Sequence, residues 1–275
     1  MSAAALRAGA ILAVNLDAVV ANWRLLSKLA ERAECAAVVK ADAYGLGAGR
    51  VGVALQAAGC RTFFVAHLDE GLQLRKAIGF SSRVFVLNGT PAGTESEFLN
   101  SVLIPVVNTA GELSAWRDHA REKGRSMPVA LQLDTGMSRL GLSHGDVAEL
   151  AGEPLGLGGL SVELVMSHLA CADAPAHPAN GRQRRAFAKL RTVLPRRAAS
   201  SLANSAGILL GPEFRFDLVR PGAALYGINP VPEGSNPFRQ AVTLSTRVIQ
   251  IREVPAGTSV GYGHARTVER QSRLA

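Results

Sequence analysis

The sequence predicts an α/β protein: a closed (β/α)8 barrel of the TIM type, followed by an incomplete β-rich C-terminal domain. Short β-branched or apolar runs alternate with longer amphipathic stretches, which is the signature of parallel βα units. About eight such units fit between residues 35 and 228, the number that closes a barrel. After Gly227 the chain becomes rich in proline and glycine, and then apolar and polar residues alternate. Both changes indicate a second domain.

The barrel strands are continuous apolar runs, because helices would cover the sheet. They are predicted at Ala36–Lys40, Arg61–Ala66, Arg83–Leu87, Ile104–Val107, Val129–Leu133, Val162–Met166, around Leu202, and at Asp217–Val219. Helices are predicted between them, among others at Val51–Ala58, Asp69–Ala77, Thr109–Lys123 and His144–Ala151. An open doubly wound sheet is the alternative, but no GxGxxG motif follows the first strand.

The domain boundary is predicted near residue 230, with residues 1–230 forming the barrel and 231–275 a linker and the start of the β-rich domain. Ala241–Val254 alternates like an antiparallel strand with one exposed face, and Thr258–Tyr262 would begin a partner strand. Residues before about 16 are a candidate strand of the same domain. Because two strands alone are marginal in water, we expect that the chain is truncated and functions poorly.

The composition predicts a globular protein, with 48% hydrophobic and 19% charged residues. The net charge of +8 invites a nucleic-acid or membrane interpretation, but the arginines are scattered and aromatic residues make up only 5%. The three cysteines are far apart and odd in number, so neither a disulfide framework nor a metal site is expected. No membrane span or secretory signal is recognised, which favours the cytoplasm.

A lysine at the end of the first predicted strand is the main candidate for chemistry. Lys40 lies in VVKADAYGLG, where an apolar strand meets a glycine-containing loop. Catalytic groups of barrels lie at the C-terminal ends of the strands, and a lysine there can form a Schiff base. On position alone, a lysine that merely extends its amine to the surface is the favoured interpretation.

Six motifs in order resemble the alanine racemases, pyridoxal-phosphate enzymes that interconvert L-alanine and D-alanine. The resemblance covers the chain from about residue 10 onward and implies a homodimeric isomerase that supplies D-alanine for peptidoglycan. The motifs are VVKADAYGLG (38–47), LDTGMSRLGL (133–142), MSHLACAD (166–173), ANSAGIL (203–209), RPGAALYG (220–227) and VGYG (260–263).

The resemblance implies two bases on opposite faces of pyridoxal phosphate. Lys40 would bind the cofactor covalently and serve as one base. Tyr262 would serve as the other, in the cofactor site of the partner subunit. Arg220 would face the pyridine nitrogen and keep it unprotonated, and His168 would hydrogen-bond Arg220 or stack near the cofactor.

The substrate and the cofactor phosphate would be held by further residues of these motifs. Arg139 would contact the phenolic oxygen of the cofactor and the substrate carboxylate region, for which a guanidinium is well suited. Late barrel loops that lead into helices commonly form phosphate sites. The phosphate and its surroundings are assigned to Tyr44, Asn204, Ser205, Gly222 and Ala223.

One position departs from the family pattern. Many members carry a lysine two residues before the aspartate of the DTGM motif, where it can be carbamylated to orient the arginine. Here that position is Gln132, so we expect no carbamate and a direct amide hydrogen bond to Arg139.

Other functions stay open. A broad-specificity racemase or a decarboxylase could share the fold, although an arginine at the pyridine nitrogen argues against the decarboxylase. A non-catalytic carrier of pyridoxal phosphate would end near the barrel, whereas this chain continues to Tyr262. Nucleic-acid binding rests on net charge alone.

Overall fold

The computed structural model describes residues 7–152 and 157–275 and divides the chain into two units. The larger unit is Asn15–Ala241, and the smaller combines Met1–Val14 with Val242–Ala275. The proline-rich segment at 228–241 belongs to the larger unit, although its composition predicts a linker. Asn22 fixes its end, because the Asn22 side chain donates to the Arg239 carbonyl at 2.9 Å and accepts the Arg239 N–H at 2.7 Å.

The larger unit is built on parallel strands that follow one another in sequence order. A seven-stranded sheet runs from β3 (Ala37–Val38) to β9 (Ala199–Ser201), and the short strands β2 (Glu34–Cys35) and β10 (Leu218–Val219) form a parallel pair. The bounds are β2 (Glu34–Cys35), β3 (Ala37–Val38), β4 (Thr62–Val65), β5 (Arg83–Val86), β6 (Ile104–Val107), β7 (Met127–Gln132), β8 (Leu160–Met166), β9 (Ala199–Ser201) and β10 (Leu218–Val219).

Main-chain hydrogen bonds close this sheet into a barrel. On one side of β10, the Asp217 N–H donates to the Ser200 carbonyl at 3.0 Å. On the other side, β10 pairs with β2, and the Ala36 N–H donates to the Val219 carbonyl at 3.0 Å. Since β2 and β3 are one strand interrupted at Ala36, the described ring has eight strand positions. The predicted (β/α)8 barrel is confirmed.

Helices connect most successive strands, as the amphipathic periodicity predicts. Where a helix was predicted, the observed ends differ by three residues or fewer, because capping turns rather than the apolar pattern set the ends. The helices are α1 (Leu16–Ala30), α2 (Ala48–Ala57), α3 (Leu68–Ile78), α4 (Glu95–Asn100), α5 (Ala110–Lys123), α6 (His144–Gly152), α7 (Pro178–Arg191) and α8 (Ser205–Leu210). No described helix is long and apolar enough to cross a membrane.

Alternate strand residues fill the barrel interior. The Phe64 and Phe85 rings stack there with centroids 4.9 Å apart. A packed interior leaves the C-terminal rim as the place where a ligand can enter. The cluster consists of Ala36, Val38, Phe64, Phe85, Ile104, Val106, Ala130, Leu164, Met166 and Leu218.

The smaller unit consists of three antiparallel strand pairs. They are β1 (Ala10–Val14) with β11 (Val242–Thr246), β12 (Arg252–Val254) with β15 (Ser272–Leu274), and β13 (Ser259–Val260) with β14 (Arg266–Thr267). The continuous strand predicted at Ala241–Val254 is therefore wrong, since β11 and β12 are separate. Tyr262 lies in a 3-10 turn, not in a strand, because Gly261 and Gly263 on either side have φ of +79° and +67°.

Candidate active site

A cavity of about 750 Å³ opens at the C-terminal rim of the barrel. Its volume is within the range of small-molecule sites. Its lining contains every predicted site residue of the larger unit: Lys40, Tyr44, Arg139, His168, Asn204, Ser205, Arg220, Gly222 and Ala223. Gln132 lines it as well. Residues that are far apart in sequence thus meet because the strands that precede them end at the same rim.

Lys40 opens a left-handed turn rather than ending a strand. The strand stops at Val38, and the four residues Ala41–Tyr44 have φ between 51° and 58°. This conformation costs roughly 1–2 kcal/mol per L-residue, so other contacts must stabilise it. Within the turn, the Gly47 N–H donates to the Asp42 carbonyl at 2.9 Å. The half-buried Lys40 side chain lines the cavity from this turn.

Hydroxyl and N–H groups converge at one end of the cavity. Ser205 Oγ accepts the N–H groups of Gly222 and Ala224 at 3.0 and 3.2 Å. A Cβ at Gly222 would collide with the Tyr44 hydroxyl, so only glycine permits this approach. Burial raises the pKa of Tyr44, which keeps its hydroxyl protonated as a donor. The arrangement suits an anion such as phosphate.

Tyr226 and Asn204 support that end of the cavity. The Tyr44 ring lies 4.8 Å from the Tyr226 ring, and the Tyr226 hydroxyl donates to the Val38 carbonyl at 3.0 Å. Asn204 Oδ1 caps α8 by accepting the Gly207 N–H at 2.9 Å. Asn204 therefore shapes the loop that carries Ser205, which the sequence motif alone does not reveal.

Arg220 is a buried cation at the base of the cavity. It is 4% exposed and donates to the Ser167 carbonyl at 2.5 Å and to the Ser201 hydroxyl. Burial lowers the pKa of Arg220 to about 9, which still leaves it charged at neutral pH. No carboxylate pairs with it among the described residues, so its charge is available to a ligand.

His168 is held in its neutral form beside these cations. Burial lowers its pKa to about 3, helped by the positive charges of Arg220, Arg139 and Lys40. The described hydrogen bonds of Arg220 go to Ser167 and Ser201 and not to His168, so the alternative that His168 stacks near the cofactor stays a prediction. His168 nevertheless lines the cavity.

A buried amide behind the cavity was missed by sequence reasoning. Gln183 on α7 donates from Nε2 to the His168 carbonyl at 2.9 Å and accepts the Ala170 N–H at 2.9 Å. It thereby fixes the loop on either side of Leu169. Its position on the buried face of an amphipathic helix was the available signal, since a buried amide needs partners.

The loop that carries Arg139 is fixed by polar contacts at its base. Asp134 Oδ1 accepts the N–H groups of Gly136, Met137 and Ser138 at 2.9, 3.1 and 3.0 Å. Burial alone would raise the pKa of Asp134, but these bonds outweigh it and the pKa falls below its usual value. The Arg139 side chain itself is exposed.

Gln132 contacts this loop at Leu140, one residue after its predicted partner Arg139. Its Nε2 donates to the Leu140 carbonyl at 3.3 Å. The hydrogen bond expected between Gln132 and Arg139, in which the guanidinium would donate to Gln132 Oε1, is wrong, since Leu140 is the described partner of the Gln132 side chain. Gln132 is buried and its amide N–H finds a main-chain acceptor, whereas the Arg139 side chain is exposed.

We predict that Gly141→Ala displaces this loop. Gly141 has φ of +116°, and a Cβ there would lie 2.7 Å from the Asp134 nitrogen and 2.8 Å from the Leu133 carbonyl carbon. Strain of this kind costs about 1–3 kcal/mol before the collision is counted. Denaturant unfolding should show the loss, and KM for the substrate should rise as Arg139 moves.

Gly145→Ala is the matched control for that variant. In the first turn of α6, its Cβ would meet only Ser143 Oγ at 3.6 Å. Alanine is favoured over glycine in a helix by about 0.5–1 kcal/mol, so this change should leave stability equal or higher. Equal unfolding midpoints for the two variants would contradict the assigned role of Gly141.

The charge and shape of the cavity fit pyridoxal phosphate. Its lining carries three basic side chains, those of Lys40, Arg139 and Arg220, against one carboxylate, that of Asp173. The cofactor and an amino acid are both anionic at one end, and Lys40 offers an amine for the aldehyde. Among the residues that the structure describes, no group of three metal-ligating side chains occurs.

The second predicted base lies elsewhere in the chain. Tyr262 belongs to the smaller unit, and its side chain is fully exposed.

Comparison with known proteins identifies the family on both sides of residue 230. The family model for the N-terminal domain of alanine racemases matches residues 14–230, and the model for the C-terminal domain matches residues 241–275. A catabolic alanine racemase of Mesorhizobium japonicum is 51% identical over 94% of this chain and 68% of its own length. An alanine racemase of Rhodospirillum rubrum is 48% identical over 98% of this chain and 72% of its own length.

The similar solved structures are also alanine racemases. Alanine racemase from Bartonella henselae, solved with covalently bound pyridoxal phosphate, superposes with a TM-score of 0.90 at 39% identity, covering 97% of this chain and 74% of that one. The enzyme from Streptomyces lavendulae gives 0.87 at 37% identity, covering 96% and 72%. The predicted architecture, the pyridoxal-phosphate cofactor and the isomerase class are confirmed, and the chain belongs to the alanine racemase family.

Proposed function

We propose that this chain interconverts L-alanine and D-alanine by proton transfer at Cα, with Lys40 and Tyr262 as the two bases. The observation that carries the proposal is the joint placement of Lys40, Arg139 and Arg220 in one cavity with an anion cradle. Racemisation needs one group to remove the α-proton and a second group to return a proton from the opposite face.

The residues that would hold pyridoxal phosphate are those of the cradle and the turn. Tyr44, Ser205, Gly222 and Ala223 line the end of the cavity where its phosphate would bind, and the Tyr44 and Ser205 hydroxyls are the donors there. Lys40 would attach it covalently. When bound, the cofactor would supply an electron sink that makes the α-proton of the amino acid acidic.

The buried arginine would limit that sink. The Arg220 guanidinium carries only donors, so it disfavours a proton on a pyridine nitrogen that faces it. His168 is neutral at physiological pH and adds no further positive charge. A weaker sink favours reprotonation at Cα over side reactions. Arg139 would bind the substrate carboxylate, as its exposed guanidinium can make a bidentate contact.

Tyr262 would complete the site across a subunit boundary. We propose a homodimer in which this tyrosine serves the cofactor site of the partner subunit, since its exposed side chain is free to meet a second chain. We also propose a cytoplasmic role in supplying D-alanine for peptidoglycan, as the family resemblance implies.

Measurement of both enantiomers after incubation with pyridoxal phosphate tests this function. L-alanine should yield D-alanine, and D-alanine should yield L-alanine, each detected by chiral chromatography. A panel that includes serine and lysine distinguishes strict specificity from a broad-specificity racemase. Covalently bound cofactor without any D-alanine would favour the carrier function instead.

A further inference from the structure

Two glutamates occupy equivalent positions in two βα units of the barrel. Glu70 is the third residue of α3, and Glu112 is the third residue of α5. One carboxylate oxygen of Glu70 accepts the N–H groups of Ala66 and His67 at 2.6 and 3.2 Å. Likewise, one oxygen of Glu112 accepts the N–H groups of Asn108 and Thr109, at 2.6 and 3.3 Å. Both glutamates therefore cap the start of their own helix.

The second oxygen distinguishes the two residues. Glu70 Oε1 accepts the Ala41 N–H at 2.7 Å, and Ala41 directly follows Lys40. Glu112 Oε1 accepts the Thr90 N–H at the longer distance of 3.4 Å. Thr90 is absent from the cavity lining, whereas Lys40 and Ala66 both line it. Only Glu70 thus joins a helix cap to the lysine turn.

The lysine turn requires an external anchor. Residues Ala41–Tyr44 are left-handed, although none of them is glycine. A carboxylate that accepts an N–H forms a charge-assisted bond, which is stronger than a neutral one. We infer that Glu70 is a positioning residue: its carboxylate fixes the peptide after Lys40 and so directs the Lys40 amine into the cavity. The identity of the group that Lys40 meets rests on the proposed function.

The first test uses the cofactor-free chain. Glu70→Gln keeps the side-chain shape but replaces an accepting oxygen with an NH2 group. Hydrogen exchange at the Ala41 amide should accelerate by about tenfold, the factor expected from the loss of one hydrogen bond. Glu112→Gln is the matched control and should leave the Ala41 amide unchanged. Equal Ala41 exchange in both variants would overturn the inference.

The second test measures covalent attachment of pyridoxal phosphate, in which the Lys40 amine condenses with the aldehyde and releases one water. Glu70→Gln should slow this step by about tenfold or more, because misplaced reacting groups lose rate steeply. Glu112→Gln should lower the unfolding temperature similarly but attach the cofactor at the unmodified rate. Equal attachment rates for the two variants would again overturn the inference.

Failure of cofactor attachment and failure of the variant to fold have different consequences. If the unmodified chain attaches no pyridoxal phosphate, the proposed function fails, while Ala41 exchange still decides the role of Glu70. If Glu70→Gln does not fold, Glu70→Asp takes its place. Aspartate keeps the charge at the helix start but is one methylene too short to reach both loops, so the same Ala41 exchange is expected.

Discussion

Lys40→Ala should remove all covalently bound pyridoxal phosphate and reduce racemisation in both directions. Among the residues that the structure describes, the variant loses the only lysine amine that lines the cavity. It leaves the phosphate cradle of Tyr44, Ser205 and Gly222 intact, so weak and reversible cofactor binding should persist. Activity should fall by about 10³-fold or more, as when a covalent catalyst is deleted.

Borohydride reduction followed by peptide mass analysis measures this effect. In the unmodified chain the reduced cofactor should remain on the peptide that contains Lys40, and in the variant no peptide should carry it. Lys189→Ala is the control, because Lys189 is exposed on α7 and outside the cavity. Cofactor trapped on another lysine of Lys40→Ala would contradict the assignment.

The barrel was predictable because its strands are continuous apolar runs. The runs that contain Phe63 and Phe64, or Val106 and Val107, are buried along their whole length, and such runs are typical of a parallel sheet covered by helices. The cavity followed from the same logic, since strand ends of a barrel share one rim. Motif order then identified the residues of that rim without any knowledge of distances.

Local backbone geometry was not predictable in the same way. Nothing in KADAYG signals four successive left-handed residues, because alanine, aspartate and tyrosine all prefer the right-handed region. The turn depends on Glu70, which lies 29 residues from Ala41 in the sequence. Gln183 is a similar case, since it supports the His168 loop from a separate helix. Such long-range contacts leave no periodic pattern.

The smaller unit shows a different limit. Strand β1 precedes the larger unit in the sequence and β11 follows it. The two strands nevertheless pair, with Leu12 opposite Leu244. Alternation indicated that β11 is a strand but could not identify its partner. Gly261, directly before Tyr262, was placed in the predicted strand, although its positive φ and that of Gly263 impose a turn.

Tyr262→Phe should abolish racemisation while leaving cofactor attachment and stability unchanged. The side chain is fully exposed, so loss of its hydroxyl should alter the free energy of unfolding by less than about 0.5 kcal/mol. The phenylalanine variant keeps the ring but cannot exchange a proton. Chiral chromatography and borohydride trapping, performed on the same sample, should separate the two effects.

Mixing this variant with Lys40→Ala tests whether the site is shared between subunits. Each variant alone should be inactive, since every site lacks one base. If Tyr262 serves the partner, a mixed dimer contains one site with both bases intact and one site with neither.

At equal proportions about half of the dimers are mixed, so activity should recover to about a quarter of that of the unmodified protein. If Tyr262 served its own subunit, each site would lack one base in every combination and mixing would restore nothing. Recovery after co-refolding, with none from simple addition at low concentration, would therefore support the shared site.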